Sequence, residues 1–297
     1  MSIGTVPRRQ QGMALVIVLW LVVLLSVMAA GHTRNTHTDT QLAARHLGHA
    51  QARALAEGGI QYAIMELLAN ESAGQRPVDG TLFSVKIGDD SVTVAIRDAT
   101  GLVDLNAADA GLLAETLRAG GADETLQREL VDAILDWRDG DNLSHLNGAE
   151  DDDYRAAGVP WTARDGAFET IDELKYVLGV QQQLFDRLAP FLTVHSGSSR
   201  LALEFAPPYL VAALTGAKDG AVTAPLPGAM QSGQDSSTGG VRSGTYHVYA
   251  GASGTAGSFA TVEAVVRIAA TQDEPFRFLE WREPSRANLM QALEEQE

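Results

Sequence analysis

The sequence predicts an α+β fold in which one long N-terminal helix leads into an antiparallel sheet, with a large all-α segment inserted after the first hairpin. Three observations carry this. An apolar run near the start continues, without proline until Pro77, into a stretch with helical periodicity. Short alternating runs with β character occur at 82–96 and again after 245. Between them lies a segment of different composition, acidic and helical in pattern.

Bulk composition narrows the function classes. The chain has 297 residues, 22 Lys+Arg against 38 Asp+Glu, and a formal net charge of -16. That balance argues against a nucleic-acid partner, which requires a basic face to neutralise phosphates. With no cysteine there is neither a disulfide scaffold nor a thiolate metal site. The 45% hydrophobic fraction is too high for a disordered chain.

Met13 to Ala30 reads MALVIVLWLVVLLSVMAA, 18 uncharged residues. At helical rise this is roughly 27 Å, enough to cross a bilayer core. Arg8 and Arg9 precede it, which keeps the N-terminus cytoplasmic and exports the rest. A cleaved signal peptide and a plain signal anchor are the alternatives, with Ala29-Ala30-Gly31 as a weak cleavage site. Beyond Gly31, Leu42, Leu47, Ala50, Leu55, Ile60 and Leu67 recur at helical spacing. Met13 to about Asn70 therefore reads as one helix, roughly 87 Å long, with Gly58-Gly59 as its weak point. His32, His37, His46 and His49 fall on this stalk and read as a polar helix surface.

Leu82–Ile87 and Val92–Ile96 alternate and are joined by Gly88-Asp89-Asp90, a hairpin. From Asp98 to Pro190 there are 20 Asp+Glu against 7 Lys+Arg, so this segment carries -13 of the total charge. Within it, Asp109 caps a helix containing Leu112, Leu113 and Leu117. Glu124 to Arg138 places Leu126, Leu130, Ile134 and Trp137 on one face. Thr170 and Glu173 have capping-box spacing for a third helix, and Leu184 to Leu192 makes a fourth. Two stretches, 104–117 and 168–194, have a helix-hairpin-helix pattern; in acidic surroundings they read as structural. Later, Gly216 to Gly257 is rich in Gly, Ser, Ala and Thr, and Thr245–Tyr249, Phe259–Ile268 and Phe276–Arg282 are closing strands.

Asp139 and Asp141 flank a glycine, and Glu150, Asp151, Asp152 and Asp153 follow after a short gap. So much negative charge in one loop is self-repelling without a cation, and oxygen ligands suit Ca²⁺. The spacing is not that of an EF-hand, and a solvated acidic loop is the other reading. His145 in the loop reads as a surface residue. Enzyme motifs such as G-x-S-x-G, G-x-x-x-x-G-K-[ST] and H-E-x-x-H are absent.

The stretch Arg9-Gln10-Gln11-Gly12-Met13-Ala14-Leu15 resembles a prepilin peptidase site. The resemblance implies a cut between Gly12 and Met13 and methylation of Met13. Pilins commonly carry glutamate at the fifth mature position; here it is Ile17. That departure, with "DWRDGDN…GAEDDDY…TARDGAFETIDELKYVLGV" and "ATVEAVVRI…FRFLEWRE", is similar to the protein K family of type II secretion minor pseudopilins.

The family implies a type IV pilin-like fold and calcium in the inserted domain. The ligand candidates are Asp139, Asp141, Glu150, Asp151, Asp153 and Asp165. Asp165 and Ala167 stand where the family commonly has Asn and Pro. The expected organisation is a leader at 1–12, a membrane or fibre-core helix at 13–31 and an exported stalk at 32–72. A hairpin at 73–97, an acidic α-domain at 98–195 and the remaining head at 196–297 complete it. The implied place is the inner membrane, single-pass, with the head in the periplasm at the tip of a pseudopilus. The implied partners are the I- and J-type minor pseudopilins, the major pseudopilin and the prepilin peptidase. A type IV pilus minor pilin and a signal-anchored periplasmic hydrolase are the rival functions.

Overall fold

A computed structural model describes residues 11–69, 76–215, 244–268 and 274–283, with side chains between 11 and 40 described only at 15–26 and 28. Residues 1–10 of the expected leader, most of the Gly/Ser-rich stretch and the last residues lie outside the described residues.

Helix α1 runs unbroken over Gln11–Ala69. Its C-terminal half buries Gly48, Ala52, Ala56, Gly59, Ile60, Ala63 and Ile64. These recur every three to four residues, one face of a helix. Small residues on that face bring the backbones together. A Cβ on Gly48 would lie 2.2 Å from the Thr255 carbonyl oxygen, and one on Gly254 would lie 2.0 Å from that of Gly48. Gly58 and Gly59, read as a weak point, sit inside the helix; a Cβ on Gly59 would press to 2.7 Å on Val92. Glycine here serves close approach rather than a break.

The face packs on a five-stranded antiparallel sheet, order β1-β2-β5-β6-β7. The strands are β1 Asp79–Ile87, β2 Asp90–Asp98, β5 Thr245–Ser253, β6 Phe259–Ile268 and β7 Phe276–Arg282. Alternation sends Val92, Val94, Ile96, Val248, Ala250, Val262, Ala264 and Val266 toward α1, where they form one core. β2 and β5 are hydrogen-bonded neighbours, Val92 opposite Ala252 through Asp98 opposite Tyr246. The described residues that follow β2, 99–215, form an excursion from the sheet.

That excursion has its own core. It contains β3 Val103–Asp104, α2 Ala110–Ala119, α3 Glu124–Arg138, α4 Asp151–Ala156, α5 Gln182–Leu188, β4 Leu192–Thr193 and α6 Pro208–Thr215. Leu112, Leu130, Ile134, Trp137, Tyr154, Phe168, Leu174 and Leu188 lie at its centre. Four expectations need correction. The segment is not wholly helical, because β3 and β4 pair in parallel and bring entry and exit together. Its core continues through Leu201, Leu210 and Leu214, past the boundary at 195. The third helix is a 3₁₀ turn, Ile171–Tyr176, in which the Glu173 carboxylate accepts from the backbone N–H of Glu169 at 3.1 Å instead of closing a box on Thr170. The fourth ends at Leu188, where Pro190 permits only a 3₁₀ turn over Ala189–Phe191.

Buried polar groups suture this unit. The Asp104 carboxylate, 1% exposed, accepts from the N–H groups of Asn106, Ala107 and Gly197 and the hydroxyl of Ser196. Arg138 donates to the carbonyls of Leu105 (2.6 Å) and Ala108 (2.9 Å), tying α3 to the entry segment. The contact between the unit and the sheet is also polar. Thr193 Oγ1 lies 3.1 Å from His247 Nε2, and His195 Nε2 lies 2.9 Å from Glu280. Arg282 reaches both Glu263 (3.3 Å) and Glu280 (3.1 Å). Burial alone would raise Glu263 and Glu280. The hydrogen bonds from His247 and His195, with Arg282, hold both below the usual carboxylate range.

Candidate metal centre

The candidate site sits where α3 ends. Its last turn delivers Asp136, Trp137 and Arg138, and Asp139 is the C-cap. Helix carbonyls point at this end, so the local field is negative before any side chain is added. Asp139, Asp141 and Glu150 then bring one carboxylate oxygen each within 4.8 Å of the others. A second group, Asp136, Asp139 and His145, meets the same limit and shares Asp139.

Glu150 distinguishes this arrangement from a solvated acidic loop. It is 4% exposed, and neither carboxylate oxygen has a hydrogen-bond partner. Burial first, then the charges of Asp136, Asp165, Asp139 and Asp141, push its carboxyl up to about 7. A buried, unpartnered carboxylate among like charges is costly. A divalent ion held by Asp139, Asp141 and Glu150 would remove both the repulsion and the unmet hydrogen-bonding capacity. The donors are all oxygen, which fits calcium.

The other expected ligands are placed differently. Asp151 and Asp153, with Asp152, form the first turn of α4, where acids favour the helix dipole. Asp153 accepts from the backbone N–H of Glu150 at 3.0 Å. Asp151 keeps one buried oxygen without a partner. Asp165 lies in the left-handed region, φ +52°, and reaches Glu150 through its charge. On α1, Gly12 and Met13 fall inside the helix with side chains outside the described set, and Ile17 is 59% exposed. Among the described residues no helix is long and apolar enough to cross a membrane; of the expected span, side chains are described only at 15–26 and 28.

Sequence reading passed over Asp136; His145, read as a surface residue, is exposed. Asp136 is wholly buried and accepts from the His145 backbone N–H at 3.1 Å, while its carboxylate also contacts the ring Nδ1. That hydrogen bond holds the imidazole above its usual pKa. Gly148 makes room: a Cβ there would sit 1.8 Å from an Asp136 oxygen. No local sequence signal singles Asp136 out, because Gly148 meets it only through the path of the loop.

The comparisons with known proteins cover the segment that holds this site. The family model described as "Type II secretion system (T2SS), protein K" matches residues 95–197, which includes the whole candidate site. The type II secretion system protein K of Pectobacterium carotovorum subsp. carotovorum is 30% identical over 207 residues, 62% of each chain. That of Klebsiella pneumoniae is 27% identical over 206 residues, 62% of this chain and 63% of its own. The chain thus matches somewhat less than two thirds of these relatives' length. A chain of the GspK-GspI-GspJ complex from the enterotoxigenic Escherichia coli type 2 secretion system has the same fold. The TM-score is 0.58 at 16% identity, over 84% of this chain and 99% of that one. The family match over residues 95–197, the relatives and the shared fold all make this chain similar to type II secretion system protein K.

Proposed function

We propose that the chain is a minor pseudopilin that sits at the tip of a periplasmic pseudopilus and helps to start its assembly. The observation that carries this is α1. One helix continues from the apolar run 13–30 into the face that packs on the sheet. A cleaved targeting segment has no need of such continuity, whereas a subunit that packs its helix into a fibre does. The apolar part would anchor the chain in the inner membrane before assembly and lie in the fibre core after it.

Ile17, in place of glutamate, suits an end position. A buried carboxylate needs a partner amine from a neighbouring subunit, and a terminal subunit has no such neighbour on one side. The bulk of the β2–β5 excursion argues the same way, because a head of this size would obstruct close helical repetition. The solved relative comes from a complex with GspI and GspJ, so proteins of those two types are the proposed partners. The major pseudopilin and the prepilin peptidase follow from the same reading.

In this role calcium is a brace held by Asp139, Asp141 and Glu150. With no cysteine, no disulfide can hold the loop that joins α3 to α4. The mature mass tests the assignment. A chain beginning at Met13 with one added methyl is expected; an uncut chain, or one beginning near His32, would overturn it.

A further inference from the structure

The loop between α3 and α4 does more than surround the acidic centre: it displays two leucines. Leu143 is 76% exposed and Leu146 is 96% exposed. Exposure is not the result of a slack loop. Alternate backbone N–H groups are held by carboxylates: Asp141 by Asp139 (3.4 Å), Leu143 by Asp141 (2.9 Å), His145 by Asp136 (3.1 Å) and Asn147 by Asp132 (3.0 Å). Gly148 is wedged on Asp136, and its N–H returns to the His145 carbonyl at 3.1 Å. Two of these acceptors, Asp136 and Asp132, lie on α3 and tie the backbone to it, and both leucine side chains are left in water. A loop pinned with apolar side chains outward has met most of the ordering cost of binding in advance, and neither leucine belongs to either core.

We propose that Leu143 and Leu146 form a docking tip for another protein, one that offers an apolar pocket rimmed by Lys and Arg. Charge selects this occupant. Between Asp139 and Asp153 there are six Asp+Glu and no Lys or Arg. An anionic membrane surface repels such a loop. A second copy of a chain with net charge -16 repels it too. A basic rim attracts it, steering approach while the leucines supply the buried area. The tip goes beyond the pseudopilin assignment and rests on the calcium reading only for its response to calcium, because Asp139 and Asp141 both pin the loop and face Glu150.

The test uses the full chain in intact cell envelopes, with Leu146→p-benzoylphenylalanine as a photoreactive probe. One protein adduct is expected, mapping to a partner peptide that contains Lys or Arg. Its yield falls by about fivefold or more on Leu143→Ser, and again when salt is raised. Purified Leu143→Ser/Leu146→Ser keeps its melting temperature, so loss of the adduct is not loss of fold. A phospholipid adduct, a self-adduct, no adduct, or a protein adduct indifferent to salt and to Leu143→Ser overturns the proposal. Chelation separates the two readings. An adduct that persists unchanged with chelator keeps the tip and removes calcium from it; absence of the adduct with calcium present defeats the tip alone.

Discussion

The two cores of this protein are held by different physics. Between α1 and the sheet, the contact is made of Gly, Ala, Val and Ile, and the backbones approach until no Cβ fits at Gly48 or Gly254. In the unit between β2 and β5, the core is Leu and aromatic, with Trp137 packed 5.8 Å from Tyr154 and 6.1 Å from Phe168. Its segments are sutured by the buried carboxylates Asp104 and Asp136 and by the half-buried Arg138. The helix–sheet layer needs few polar sutures because its backbone groups are already paired in regular elements. The excursion, with short elements and long connections, must satisfy its backbone groups with side chains.

The largest effect should come from breaking the close approach. Gly254→Val places side-chain atoms against the backbone of Gly48, which cannot yield as a side chain could. A loss of about 3 kcal/mol in denaturant unfolding is expected, with the first core losing hydrogen-exchange protection before the second.

Next is Asp104→Ala, which strands donors from Asn106, Ala107, Ser196 and Gly197. A loss of about 2 kcal/mol is expected, read by Trp137 fluorescence. Equal loosening of both cores would contradict their separation.

Third, Glu150 predicts opposite pH trends with and without calcium. Its folded-state pKa is raised from 4.5 to about 7, so between those values the folded chain binds the proton more tightly than the unfolded chain. Without calcium, stability from this group is full below pH 4.5 and is lost as pH rises toward 7. Calcium competes with that proton, so its stabilisation grows over the same window. Glu150→Gln should abolish the calcium-induced rise in melting temperature and raise the melting temperature of the calcium-free chain. A calcium shift that persists in this variant would remove Glu150 from the ligand set.

The smallest effect is expected at Arg53, which bridges Glu57 (2.9 Å) and Glu283 (2.8 Å) across an exposed surface. Arg53→Ala should leave the melting temperature within measurement error.

Much of this was legible in the residues. The extent of α3, the first hairpin and the positions of the closing strands followed from period and turn chemistry, because each signal lies within one element. Asp139, Asp141 and Glu150 stand out in the sequence by charge density, by the spacing around Gly140 and by the family resemblance. These signals do not separate them from Asp151 and Asp153, whose place in the first turn of α4 gives them a second reason to be acidic.

What the sequence determined by itself is local: the continuous α1, the alternation that makes one sheet face apolar, the acidity of the middle segment and the absence of cysteine. Tertiary structure alone decided that β2 pairs with β5, that β3 and β4 close the excursion, and that Asp136 is buried on Gly148 while Leu143 and Leu146 face water. The physical reason is range. Periodicity and capping act over a few residues and leave their mark in sequence. Strand pairing across more than a hundred residues, and the burial of one carboxylate in an acidic run, depend on which distant backbone fills the space.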